Sequence, residues 1–238
     1  MLSARDRREF LKWSGTAAAA ALLAACDQPT EPARELVPSQ QGAQAANSGD
    51  QVTIDLGRDL GILNFAYALE QLEAAFYIKV IADFYRGVSG EEEELLRDIK
   101  RHEVVHREFF RVALGGARIP ALAVDFSSVD FRSRDSVLGT ARAFEDTGVG
   151  AYNGAAQFLR NNDYLEVAGK IVSVEARHAS AIRDVFGRSF APDAFDPAFT
   201  FERVLQLVNP FIATRITLTH SPTAGRANRT SAQEDMIS

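Results

Sequence analysis

Cysteine is almost missing from this chain of 238 residues. Cys26 is the only one, so no intramolecular disulfide can form and the folded part must be held by packing, with metal a further candidate. There is no excess of positive charge either: 26 basic residues face 32 acidic ones, for a net charge of −6. Without a basic stripe, nucleic acid is excluded as the main partner, because phosphate binding needs clustered Lys and Arg, and acidic substrates are disfavoured for the same reason. Long hydrophobic runs are lacking as well. The apolar stretch from Trp13 to Ala25 is shorter than the roughly 20 residues a spanning helix needs, which argues against a permanent transmembrane anchor. Nor do Val, Ile and Thr alternate with polar residues long enough to predict a sheet. What remains is a chain with 46% hydrophobic residues, enough to bury one sizeable core.

The N-terminus reads as an address. Arg7, Arg8, Phe10, Leu11 and Lys12 stand ahead of the Ala/Leu run and resemble a twin-arginine export signal. Leu23-Ala24-Ala25-Cys26 resembles a lipobox, in which the thiol is acylated and the chain is cut just before it. Cys26 would then be the mature N-terminus, anchoring the protein by lipid at the cell envelope or periplasmic face. Residues 27–50, rich in Gln, Pro, Ala, Ser and Gly, read as a disordered tether. The expected organisation is a signal peptide over 1–25, lipidated Cys and tether over 26–56, a helical bundle over 57–190, a C-terminal helical extension over 191–220 and a disordered tail over 221–238.

Helical spacing dominates the rest. Leu60, Leu63, Ala66, Leu69, Ala74, Tyr77, Ile81 and Phe84 predict a long amphipathic helix between Gly57 and Tyr85. Ser89-Gly-Glu-Glu places Glu92 in a capping-box position and opens a second helix that stops at Gly115-Gly116, with Glu91 to Glu94 as an acidic first turn favoured by the helix dipole. A third helix is expected from about Ser133 to Leu159 and a fourth from about Asp163 to Phe186. A fifth piece, Phe201 to Leu218, is interrupted at Pro210. The fold class is all-α.

The chain repeats itself. Glu70 is followed by Tyr77 and later by Glu103-Val-Val-His106; Glu145 is followed by Tyr152 and later by Glu175-Ala-Arg-His178. Two duplicated helical hairpins explain the echo. Each of these carboxylates sits where its helix should be apolar: Glu70 between Ala66 and Ala74, Glu103 between Ile99 and Phe110, Glu145 between Ala141 and Val149, Glu175 between Ile171 and Ile182. Buried unpaired carboxylates cost several kcal/mol each, so four on core stripes need a shared partner. Divalent metal answers the need. Glu-x-x-His puts a carboxylate and an imidazole on one helical face, and one Glu from each of two helices plus one such pair from each of the others is the donor set of di-iron and di-manganese bundles. Oxygen and imidazole donors suit two iron ions, with manganese the alternative and zinc allowed.

On these residues the chain resembles the ferritin-like superfamily, including bacterioferritins and rubrerythrins, and most closely the exported ferritin-like domain proteins related to plant desiccation-related proteins. The resemblance covers about residues 57–190 and implies an antiparallel four-helix bundle. It implies Glu70, Glu103, His106, Glu145, Glu175 and His178 as metal ligands. A Tyr seven residues after the first ligand Glu favours Glu70 over Glu73. Glu73, Tyr77 and Tyr152 are then supporting residues, the tyrosines hydrogen-bonded to ligand carboxylates. The resemblance further implies iron oxidation, peroxide removal or oxidase chemistry, in a role protective against oxidative stress. A metal-stapled, non-catalytic stress lipoprotein is the alternative. Cage-type storage fits poorly with a lipidated tether, and a homodimer is the assembly considered.

His102-Glu103-Val-Val-His106 also satisfies the zinc metalloprotease pattern H-E-x-x-H. That reading lacks a third ligand nearby and leaves Glu175 and His178 unexplained. In the bundle, His102 lies about 100° around the helix from Glu103 and is expected to point away from Glu103 and His106, so that its loss leaves metal binding intact. His220 receives no role. The export reading is checked by fractionation: replacing Arg7 and Arg8 with Lys should hold the protein in the cytoplasm, and mass spectrometry of the wild-type membrane form should find Cys26 acylated.

Overall fold

The computed structural model describes residues 51–222. The export motif with Arg7 and Arg8, the lipobox with Cys26, the tether over 27–50 and the tail beyond 222 lie outside these described residues. Strand β1 spans Gln51–Asp55, followed by helix α1 (Asp59–Ala82), α2 (Gly90–Leu114), α3 (Arg134–Ala156), α4 (Asn162–Val185), the short α5 (Phe201–Val208) and strand β2 (Arg215–Thr219). Helices α1 and α2 pack as one hairpin and α3 and α4 as another. The hairpins meet where α1 lies on α3 and α2 on α4. Among the described residues, no helix is long and apolar enough to cross a membrane.

Local chemistry sets the helix boundaries. Ser89 Oγ accepts from the Glu92 amide while the Glu92 carboxylate accepts from the Ser89 amide, the reciprocal cap that the sequence predicts. Glu92 is more than an acid in the first turn. Its carboxylate also accepts from Arg134 Nε at 2.8 Å and from the Tyr85 hydroxyl at 3.0 Å. Arg134 in turn donates to the Val185 carbonyl at 2.5 Å. One arginine thereby ties the start of α2 to the start of α3 and the end of α4. Ser133, Asn161 and Thr200 cap α3, α4 and α5 through their side chains.

Helix α1 departs from the expected amphipathic stripe. Leu60, placed on that stripe, is 44% exposed, whereas Ile62, Phe65, Leu72 and Phe76, off it, are buried. The reason is position: α1 touches α2, α3 and β1 and so is covered on most of its circumference. Its buried Asn64 and Gln71 serve the long α2–α3 crossover. Asn64 donates to the Ala117 carbonyl and accepts from the Ile119 amide, and Gln71 accepts from the Leu122 amide at 2.9 Å. The crossover then bonds the C-terminal segment, with Asp125 N donating to Phe211 O at 2.8 Å and Ala213 N to Ala123 O at 2.8 Å.

Two expectations are corrected. Residues 51–55, assigned to the tether, form β1, and residues 215–219, assigned to a helical extension, form β2. The two strands pair in parallel with Val52 opposite Ile216 and Ile54 opposite Leu218. Val52 and Ile54 are buried between exposed Gln51 and Thr53, an alternation too short to be read from five residues alone. The helix beginning at Phe201 ends at Val208, and Pro210 falls in a 3₁₀ turn before the chain extends. Between α4 and α5 the chain crosses α3 at close range. Phe199 N donates to Gly150 O at 2.8 Å, and a β-carbon at Gly154 would stand 1.8 Å from the Phe199 carbonyl.

The Glu92 knot predicts an order of stabilities in urea denaturation. Ser89→Ala should cost about 1 kcal/mol, the usual cost of an N-cap. Glu92→Ala should cost more, because it also strips Arg134 and Tyr85 of their acceptor. Burial raises the Glu92 carboxyl pKa, but Arg134 and the Ser89 amide outweigh it and hold it below its ordinary value. Its contribution is therefore present above the carboxylate range and lost as pH falls through it, so the two variants should converge in stability in acid.

Candidate metal centre

Each helix of the bundle brings one carboxylate to the same level of the core. Glu70 on α1, Glu103 on α2, Glu145 on α3 and Glu175 on α4 have no measurable exposure. The three-residue spacing in α2 and α4 adds His106 and His178 on the same faces. The six side chains fall into two overlapping groups. Glu70, Glu103, His106 and Glu175 form one and Glu103, Glu145, Glu175 and His178 the other; within each, one donor atom per residue lies within 4.8 Å of the rest.

Glu103 and Glu175 belong to both groups, and their oxygens are divided between them. Glu175 Oε1 is 3.1 Å from His106 Nδ1 while its Oε2 is 3.9 Å from His178 Nδ1. Glu103 Oε1 is 2.9 Å from His178 Nδ1 and its Oε2 is 3.6 Å from His106 Nδ1. Glu70 Oε2 stands 3.5 Å from His106 Nδ1, and Glu145 Oε2 3.3 Å from His178 Nδ1. Glu103 and Glu175 are thus shared between the two groups, which end in Glu70 with His106 on one side and Glu145 with His178 on the other.

The other oxygens of the terminal carboxylates are held by tyrosines from across the bundle. Tyr77 on α1 donates to Glu145 Oε1 on α3, and Tyr152 on α3 donates to Glu70 Oε1 on α1. The duplicated halves therefore exchange supports, each tyrosine holding the carboxylate of the other half. Burial, and then the facing carboxylate, push both tyrosine pKa values well up, so both remain neutral donors.

The remaining polar atoms test whether metal fits. Glu70 Oε2, both oxygens of Glu103, Glu145 Oε2, both oxygens of Glu175 and the Nδ1 atoms of His106 and His178 are buried and have no hydrogen-bond partner outside the cluster. These are the same eight atoms that face the two positions, four to each. Buried polar groups are rarely left with so few partners, and eight such atoms converging in a helical core suit divalent metal. Two divalent ions also cancel the charge of four carboxylates. The residues present fit metal.

In the protein alone, the histidines carry the compensation. Burial lowers the His178 pKa, but Glu103 and Glu145 outweigh it and carry it up to about 10. His106 is likewise shifted up, burial being outweighed by Glu103, Glu175 and Glu70. Glu103 lies between both imidazoles, which overcome burial and hold it down at about 2. Burial raises Glu70 to about 7, and raises Glu145 and, further, Glu175.

A ferritin-like domain model matches residues 58–188, more than half of the chain and all four bundle helices. The chain belongs to the ferritin-like family. A twin-arginine translocation signal sequence also matches residues 6–24, which supports export of this ferritin-like protein from the cytoplasm. No curated protein shows significant similarity to it.

Glu73 is not on a solvated face: it is 4% exposed, and burial followed by Glu175 pushes its pKa well up. Gly148 on α3 makes the room for it. A β-carbon there would lie 3.2 Å from Glu73 Oε1 and 3.3 Å from Glu175 Oε2, so a side chain at 148 would press on both carboxylates. His102 does not converge with His106 as a zinc protease would require. It faces α4 instead, with Nδ1 2.8 Å from His178 Nε2 and the two rings near-parallel. The expectation that it points away from Glu103 and His106 missed this contact with the second histidine, because helical phase fixes the direction of a side chain and says nothing of what the neighbouring helix presents. His220 pairs with Asp55 at 2.8 Å, remote in sequence and outside the cluster. The hydrogen bonds from Tyr77 to Glu145 and from Tyr152 to Glu70 give a direct check: Tyr77→Phe and Tyr152→Phe should each destabilise the metal-free protein by about 1–3 kcal/mol in urea, the cost of leaving a buried acceptor unsatisfied. Equal losses in the two variants are expected from the duplication.

Proposed function

We propose that this exported ferritin-like protein holds two iron ions, with manganese the alternative, and uses them to reduce O₂ or peroxide at the cell envelope, protecting it from oxidative damage. The observation that carries the reading is the set of eight buried donor atoms, without partners outside the cluster and grouped four and four through Glu103 and Glu175. Glu70 and His106 would complete one site, Glu145 and His178 the other. A bound pair of ferrous ions supplies the two electrons that, with two protons, convert one peroxide molecule to two waters.

The chain's own residues do the rest. Glu103 and Glu175 hold the two positions adjacent, and Tyr77 and Tyr152 keep the terminal carboxylates from rotating. Buried Phe76, Leu72, Leu138 and Ile182 make the helical core apolar, which strengthens each electrostatic contact inside. Glu73, buried beside Glu175, is placed to hold a proton near the cluster. Lipidation of Cys26 would keep the domain at a membrane surface after export.

The reading is tested with purified mature protein under anaerobic conditions. Fe(II) or Mn(II) should bind at about two ions per chain and raise the thermal midpoint by roughly 5–10 °C at 100-fold excess over Kd. Glu175→Gln, which alters a shared donor, should reduce the stoichiometry below two. Exposure of the Fe(II) form to O₂ or peroxide should consume the oxidant. Binding without consumption would leave a metal-stapled structural lipoprotein, and fewer than one ion per chain would overturn the metal reading altogether.

A further inference from the structure

We propose that His102 is a positioning residue for the metal centre: it accepts the outer N–H of His178 and so fixes His178 in the tautomer that can bind metal. The inference rests on the metal reading above and concerns a residue outside the six ligands.

The argument begins with the ring geometry. His178 presents Nδ1 to Glu103 and Glu145 and Nε2 to His102 Nδ1, 2.8 Å away. Only one proton fits between two ring nitrogens at that distance. If His102 supplies it, neutral His178 carries its own proton on Nδ1, and that nitrogen has no lone pair to offer a cation. If His178 supplies it, Nδ1 is free to bind metal and His102 is the acceptor, carrying its proton on Nε2. A ligating histidine whose other nitrogen donates to a fixed acceptor is oriented and made more basic. His102 meets the requirement by place as well as by chemistry. With Asp98, Ile99, Val174 and Arg177 it lines a pocket of about 200 Å³ between α2 and α4 that reaches His178, so its Nε2–H need not be buried unpaired.

The duplication makes the two sites unequal. His102 immediately precedes Glu103, and the matching position in the second half, immediately before Glu175, is Val174. Valine cannot accept a proton, and no hydrogen bond to the outer nitrogen of His106 occurs among the described residues. His102 should therefore matter to one ion of the pair and not to the other.

Anaerobic Fe(II) titration calorimetry on the wild type, His102→Phe and His102→Asn tests this. Phenylalanine fills the space without accepting, whereas the Asn side-chain oxygen replaces the imidazole acceptor near the position of Nδ1. Wild type should bind two ions. His102→Phe should weaken one of them about 10–100-fold and leave the other unchanged, and His102→Asn should recover most of the loss. A second measurement needs no variant: in Zn(II)-loaded protein with ¹⁵N-labelled histidine, the hydrogen-bonded ring proton of His178 should reside on Nε2. Wild type with two ions and His102→Phe binding both as tightly would overturn the role of His102 alone, as would equal losses in the Phe and Asn variants or a His178 proton on Nδ1. Wild type that binds no second ion would overturn the metal reading and this inference with it.

Discussion

Four carboxylates and two imidazoles with almost no access to water stand at one level of a helical bundle, and their charge must be cancelled where they are. Burial opposes ionisation of every one of them, yet the imidazoles and carboxylates lie too close for any to be treated singly. The shifted pKa values of His178, Glu103 and Glu70 are the protein's partial answer, protons moved to where they cancel charge best. Eight donor atoms in that arrangement have only one another as partners. Divalent metal would relieve this crowding, and the surrounding core holds the same side chains in place.

The supports are distributed by the duplication. Each tyrosine crosses to the carboxylate of the opposite hairpin, so neither half completes a site alone: both shared carboxylates come from the Glu-x-x-His helices, one from each hairpin. This explains why α1 and α3 must touch at the level of the cluster, and why Gly148 is where a larger residue would push Glu73 and Glu175 apart. The symmetry then fails at one position. His102 in the first half answers to Val174 in the second, which gives His178 a partner on its outer side. Farther out, the Arg134 knot and the capped helix starts fix the hairpins relative to one another at the end of the bundle marked by Glu92.

Much of this was legible in the sequence because it is periodic. The 3.6-residue spacing, the Ser89–Glu92 cap, the glycine stop after α2 and the two Glu-x-x-His repeats each lie within one element, where local geometry dictates which residues share a face. The six-residue cluster could be named for the same reason: a carboxylate on a core stripe is an anomaly visible in one dimension. Contacts between elements could not be read in that way. The all-round burial of α1 depends on the neighbours it acquires, and the pairing of β1 with β2 joins residues such as Val52 and Ile216 from opposite ends of the described chain. Strands of five residues carry too little alternation to announce themselves. His102 reaches His178 because α2 and α4 pack together, and Gly148 matters because of where Glu73 and Glu175 happen to face. The sequence alone determined which carboxylates and imidazoles lie on the core faces of their helices, since that depends on chemical type and helical phase; the tertiary structure decided how their oxygens are divided, which residues support them and where the two halves differ, since those follow from distances between helices.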